Sequence, residues 1–217
     1  MRKFSVILMV TFLSINGFTQ NNQDYIMFMT RQIKTLSMTK TIEGLQALAD
    51  DFERTANAQT DKWHPLYYAA FCHVNMSFKS EAGEIKDQHL DQAQALLDRA
   101  LEIYPDESEL MVLQGLLYQG RIQVDPKSRG RNYSGKAKKA LEMAIEYNPD
   151  NPRAYYLLGL NVLHTPEGLG GGAAAACPYF EQGNENYKNQ VPDHVLDPSW
   201  GAEENYNQSI INCQDSE

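Results

Sequence analysis

The sequence predicts an all-α protein, built of antiparallel helical hairpins stacked side by side and closed by a C-terminal capping helix. Three observations predict it. The stretch 100–118 recurs at 144–162, with Pro105 and Pro149 standing 44 positions apart, and self-similarity at a fixed period is the mark of stacked supersecondary units. Apolar and small residues recur at spacings of three and four, the period of one helix face. Only 9 prolines and 14 glycines occur in 217 residues, and several of the glycines cluster, which leaves long stretches free to be helical.

The chain opens on Arg2 and Lys3, then a nearly all-apolar run from Phe4 to Phe12, then the polar Gln20-Asn21-Asn22-Gln23. A positive start, a short apolar run and a polar return have the order of a cleaved export signal, and the run is too short to span a bilayer. Residues 1–20 are therefore expected to be a leader, cut between Gly17 and Asn21, and residues 21–217 the folded domain. No cysteine lies near that junction, so no lipid anchor is expected. Helices are predicted over 23–37, 41–58 and 62–79, without a distinct motif.

The repeat begins with a helix over 88–104. Ala93, Leu97 and Ala100 share a face, and Pro105 ends it because it lacks an N–H and restricts its predecessor. Asp106 or Ser108 can cap the next helix, over 107–122, where Met111, Gly115 and Tyr118 form a second face. Gly115 has no Cβ and admits a close neighbour. Ala137, Leu141, Ala144 and Pro149 repeat the first half, predicting a helix over 135–148. Tyr155, Leu158, Gly159 and Val162 repeat the second, over 152–164.

In these residues the chain resembles the tetratricopeptide repeat (TPR) family. Tyr155-x-x-Leu158-Gly159 matches the family's first helix, and Ala-x-x-x-Leu-x-x-Ala-x-x-x-x-Pro matches its second helix twice. The resemblance implies a right-handed superhelix with a concave groove lined by the first helix of each hairpin. The family unit is about 34 residues, and the longer period here is expected to come from an extended loop over 121–139. A weaker half-repeat, Ala176-x-x-x-Phe180-x-x-Gly183, has Gly where the second Ala belongs. Helices over 173–188 and 201–213 complete the stack, the last as its cap.

The net charge is −9, and an acidic chain is poorly suited to neutralising phosphates, so no nucleic-acid partner is expected. Of the three cysteines, Cys177 and Cys213 can pair and leave Cys72 over; three reduced thiols are the alternative. The five histidines are scattered and form no HExxH or HxH motif, so neither a metal nor a cofactor is expected. No nucleophile–base motif appears, and no enzymatic activity is expected.

Two features suggest binding. Tyrosines on first helices are suited to a groove surface, and Tyr68, Tyr118 and Tyr156 are the candidates to reach it. The stretch 121–139 carries seven cations against Asp125 alone, and Arg129 and Arg131 offer forked donors to an anion. Gly170, Gly171 and Gly172 before an Ala-rich helix could add a backbone nest. A solvated basic loop and a tight glycine connection are the plainer readings of both. The expected function is that of an exported bacterial scaffold, periplasmic or secreted, that holds a protein or peptide in its groove; the alternative is a binder of a small anionic solute serving transport.

Overall fold

A computed structural model describes residues 11–213, so the first ten residues of the expected leader lie outside the described residues. The described chain is helical throughout: α1 (Thr11–Met38), α2 (Ile42–Ala58), α3 (His64–Lys79), α4 (Gly83–Ile103), α5 (Ser108–Val124), α6 (Pro126–Tyr147), α7 (Pro152–Leu163), α8 (Ala173–Asn189) and α9 (Ala202–Cys213), with a 3₁₀ turn at Glu167–Leu169. Helices α3/α4, α5/α6 and α7/α8 form three hairpins, α2 packs on α3, and α9 covers α8. No described helix is long and apolar enough to cross a membrane.

Local chemistry sets the boundaries. Thr41 Oγ1 accepts from Gly44 N–H at 3.1 Å to start α2. At α5 the cap is Glu107, whose carboxylate accepts from Glu109 N–H, rather than either of its expected neighbours. Asn151 caps α7, with Pro152 filling the first position, where no N–H is needed.

The stretch 121–139 is not a loop. α5 runs to Val124, and α6 starts at Pro126 with Asp125 as the single joint residue. Asp125 Oδ1 accepts from Ser128 N–H at 3.1 Å, and Pro126 has a backbone pre-set for a first helical turn. The extra length of the repeat is thus helix: α4 has 21 residues and α6 has 22.

The hairpins interlock through the expected small residues. A Cβ on Gly115 would sit 2.6 Å from Leu141 Cδ2, and one on Gly159 2.6 Å from Phe180 Cε1. Equivalent glycines in successive hairpins therefore each receive one large side chain from the second helix. Gly183 departs from the repeat because Asn205 of α9 needs the space: its amide oxygen would lie 2.8 Å from a Cβ there, and its amide nitrogen donates to Phe180 C=O at 2.9 Å. Cys177 is joined to Cys213, pinning α9 to α8, and Cys72 is free and buried.

Candidate functional site

A buried polar cluster joins successive hairpins where α5 and α7 begin. Arg153, 1% exposed, donates to both Glu109 oxygens, Nε to Oε2 at 2.9 Å and Nη2 to Oε1 at 2.7 Å. Asn151 Nδ2 adds bonds to Glu109 Oε1 and Ser108 Oγ at 2.8 and 2.9 Å. Burial works against the Arg153 charge, but the Glu109 carboxylate outweighs it, so the guanidinium pKa lies above its ordinary value. Glu109 and Arg153 are 44 positions apart, the repeat offset, so equivalent positions carry opposite charges and pair across the hairpin boundary.

The face where the groove is expected is occupied by the chain itself. Tyr68 Oη donates to Leu196 C=O at 2.7 Å. The Trp200 indole N–H donates to Tyr67 Oη at 2.9 Å, and its ring stacks on Phe71 at 5.3 Å. Leu196 is fully buried in the apolar core that includes Leu66, Tyr67 and Tyr68. Tyr68 is therefore buried under the segment 196–200, and burial pushes its phenol pKa well up. Tyr156 is half-buried beside Gly201, and burial followed by the Glu204 charge pushes its pKa up to about 12. Tyr118 is apart from both. It packs near Tyr133, with Lys136 Nζ 5.9 Å from its ring centre.

The basic residues divide. Arg129 makes a two-pronged bond to Asp87, Nη1 to Oδ1 at 2.7 Å and Nη2 to Oδ2 at 2.8 Å. Arg121 joins the same carboxylate and also Asp91. The Arg129 bond holds the Asp87 pKa below its ordinary value. These two cations tie α5 and α6 to α4. Arg131, in contrast, has no carboxylate partner among the described residues and faces a cleft. The three glycines turn their donors inward: Gly170, Gly171 and Gly172 N–H bond to the carbonyls of Glu167, Pro166 and Val162. Gly170 and Gly172 take positive φ, 83° and 93°, which glycine alone adopts without strain.

That cleft, about 850 Å³, opens between the last turns of α5 and α7 and the first turns of α6. Ile122, Pro126, Leu160, Pro166 and Leu169 make it mostly apolar, and Arg131 and His164 bring polar groups to it. Leu169 is 73% exposed, with its apolar surface uncovered. The two segments singled out in the sequence, 121–139 and 165–173, thus meet on one cavity, through Arg131, Thr165, Pro166 and Leu169.

A second cavity, of about 560 Å³, lies at the opposite end of the first helices and is polar, lined among others by His64, Glu107, Glu109, Arg153, His194 and Asp197. His64 Nε2 is 3.1 Å from Asp197 Oδ1. Sequence spacing gave no sign of this cluster, because His64 and Asp197 stand 133 positions apart. The bracketing Pro192 and Pro198 were the one available hint that the segment is an ordered connection.

These features define a stack of helical hairpins of the TPR type. A thermophilic TPR protein from Thermus thermophilus, TTC0263, shares the fold with a TM-score of 0.55 and 16% identity, over 92% of this chain and 97% of that one. The HusA haemophore from Porphyromonas gingivalis is more similar: TM-score 0.81 and 28% identity, over 89% of this chain and 94% of that one. No protein-family model matches the chain, and no curated protein matches it.

Proposed function

We propose that this protein is an exported carrier that binds a planar, amphipathic tetrapyrrole of the haem class in the cleft between α5, α6 and α7. The observation that carries the reading is the cleft itself. It combines an apolar lining, a volume within the roughly 300–1,000 Å³ usual for small-molecule sites, a guanidinium without a carboxylate partner and an imidazole. A porphyrin face takes up the apolar side chains, Arg131 meets a propionate carboxylate with forked donors, and His164 supplies a nitrogen to the iron. The likeness to a haemophore over most of both chains supports the ligand class. The charge and polarity order of residues 1–23 supports export.

Occupation of the first-helix face by residues 196–200 favours a small ligand over a peptide in the groove. The test is a haemin titration of the chain starting at residue 21, followed by the Soret band. One equivalent should bind with a shifted band. Arg131→Glu, which replaces the donor by a like charge, and Leu169→Asp, which sets a charge on the apolar lining, should each weaken binding at least about tenfold, or about 1.4 kcal/mol. A Soret band unmoved by the protein, or affinity indifferent to both substitutions, would refute the proposal.

A further inference from the structure

We infer that His64, His194 and Asp197 form a site for a divalent transition-metal ion of the zinc class, separate from the apolar cleft, which fastens the C-terminal segment over the first helices. One donor atom from each of the three residues lies within 4.8 Å of the others. Two imidazoles and one carboxylate are a borderline-soft set that suits zinc and its neighbours better than magnesium or calcium. Zinc bonds of about 2.0–2.1 Å hold tetrahedral ligands roughly 3.4 Å apart. The edge from His64 Nε2 to Asp197 Oδ1, at 3.1 Å, is nearly in place. His194 has to close by roughly an ångström on the same geometry. In doing so its ring releases the Leu196 N–H that now donates to Nδ1 at 3.1 Å.

Two of the three ligands are already oriented before any ion binds, as metal ligands usually are. Asp197 Oδ2 accepts from His194 N–H at 2.7 Å, and Asp197 N–H donates back to His194 C=O at 3.0 Å. The His64 ring stacks on Trp63 at 3.9 Å. The surroundings favour a cation. Besides Asp197 itself, the cavity beside the triad is lined by four carboxylates, Glu107, Glu109, Asp150 and Asp193, against the one guanidinium of Arg153. Its volume leaves a fourth coordination position for water. The ligands come from the first turn of α3 and from the loop before α9, so a bound ion bridges the start of the stack to the segment that lies on Tyr67, Tyr68 and Phe71.

The test uses the chain from residue 21, stripped with a chelator and titrated with zinc by calorimetry and with cobalt by visible absorption. One equivalent of zinc should bind, cobalt should give the strong bands of a tetrahedral site, and the melting temperature should rise with zinc. His194→Ala, in the exposed loop, and Asp197→Asn should each weaken uptake at least tenfold and abolish the cobalt bands. Absence of stoichiometric uptake, or uptake unchanged in His194→Ala, would overturn the inference and leave His64 and Asp197 as an ion pair only. Zinc is added without haem, so this inference and the cleft reading fail independently.

Discussion

Replacing Arg153 by Met tests whether the buried pair across the hairpin boundary is what holds α5 and α7 in register. The substitution leaves the Glu109 carboxylate, 8% exposed, with Asn151 as its remaining side-chain donor in place of that donor plus a forked guanidinium. Removing one partner of a buried, hydrogen-bonded pair costs about 3–5 kcal/mol, because the other charge stays buried without compensation. In a domain of this size about 1 kcal/mol moves the melting temperature by roughly 2–4 °C, so a loss of about 6–20 °C is expected. The paired replacement Glu109→Met with Arg153→Met removes both charges, and should be far less costly than Arg153→Met alone, within about 1 kcal/mol of the parent or more stable than it. Urea unfolding followed by far-UV circular dichroism reads both, with an unchanged m-value showing that the same structure unfolds. The reasoning fails if Arg153→Met costs less than about 1 kcal/mol, or if the double variant loses as much as the two single variants added together.

Two glycines should respond with opposite signs to one substitution. Gly159→Ala drives a methyl into the fully buried Phe180 and should cost about 1–2 kcal/mol net of its helix-propensity gain. Gly130→Ala, in α6 with nothing within 4 Å, should gain about 0.5–1 kcal/mol; denaturant midpoints that shift the same way would contradict the packing described. Acid should weaken the fold through His73. Burial lowers its pKa against the opposing pull of Glu53, and burial lowers that of the nearby His89. The unfolded chain therefore takes up protons first as pH falls below about 6.5. Stability is unaffected above that pH and is lost below it, by up to about 1.4 kcal/mol per pH unit for each proton. His73→Leu should flatten the slope between about pH 6.5 and 5, and an unchanged slope in pH-dependent unfolding would refute the assignment.

The helices were legible because their signals are local. Ala93-Leu97-Ala100-Pro105 and its copy carry period, packing and stop within one stretch, and Gly115 and Gly159 mark the close approaches from sequence alone. The first half of α6 is masked in the sequence because Ser128, Gly130, Asn132, Ser134 and Gly135 are weak helix formers. Asp125-Pro126, a cap followed by a first-turn proline, is the signal that should have outweighed them. The Glu109–Arg153 pair was within reach, since opposite charges at equivalent repeat positions are visible once the offset is known. The groove tyrosines and the histidine cluster were not. Which side chains meet there depends on where residues 194–200 return across the stack, and no periodicity encodes that path.

The return of residues 196–200 also bears on the order in which the chain can fold. Hairpins α3/α4, α5/α6 and α7/α8 join neighbours in sequence and can close as soon as each pair exists. The bonds from Tyr68 to Leu196 and from Tyr67 to Trp200 span 128 and 133 positions, so during synthesis they come after those hairpins. Until then Tyr67, Tyr68 and Phe71 form an open aromatic strip on an otherwise assembled stack. Such a strip is a surface that chaperones recognise and that neighbouring chains can occupy in trans. The return of residues 196–200 thus also ends the interval in which that strip is open to association.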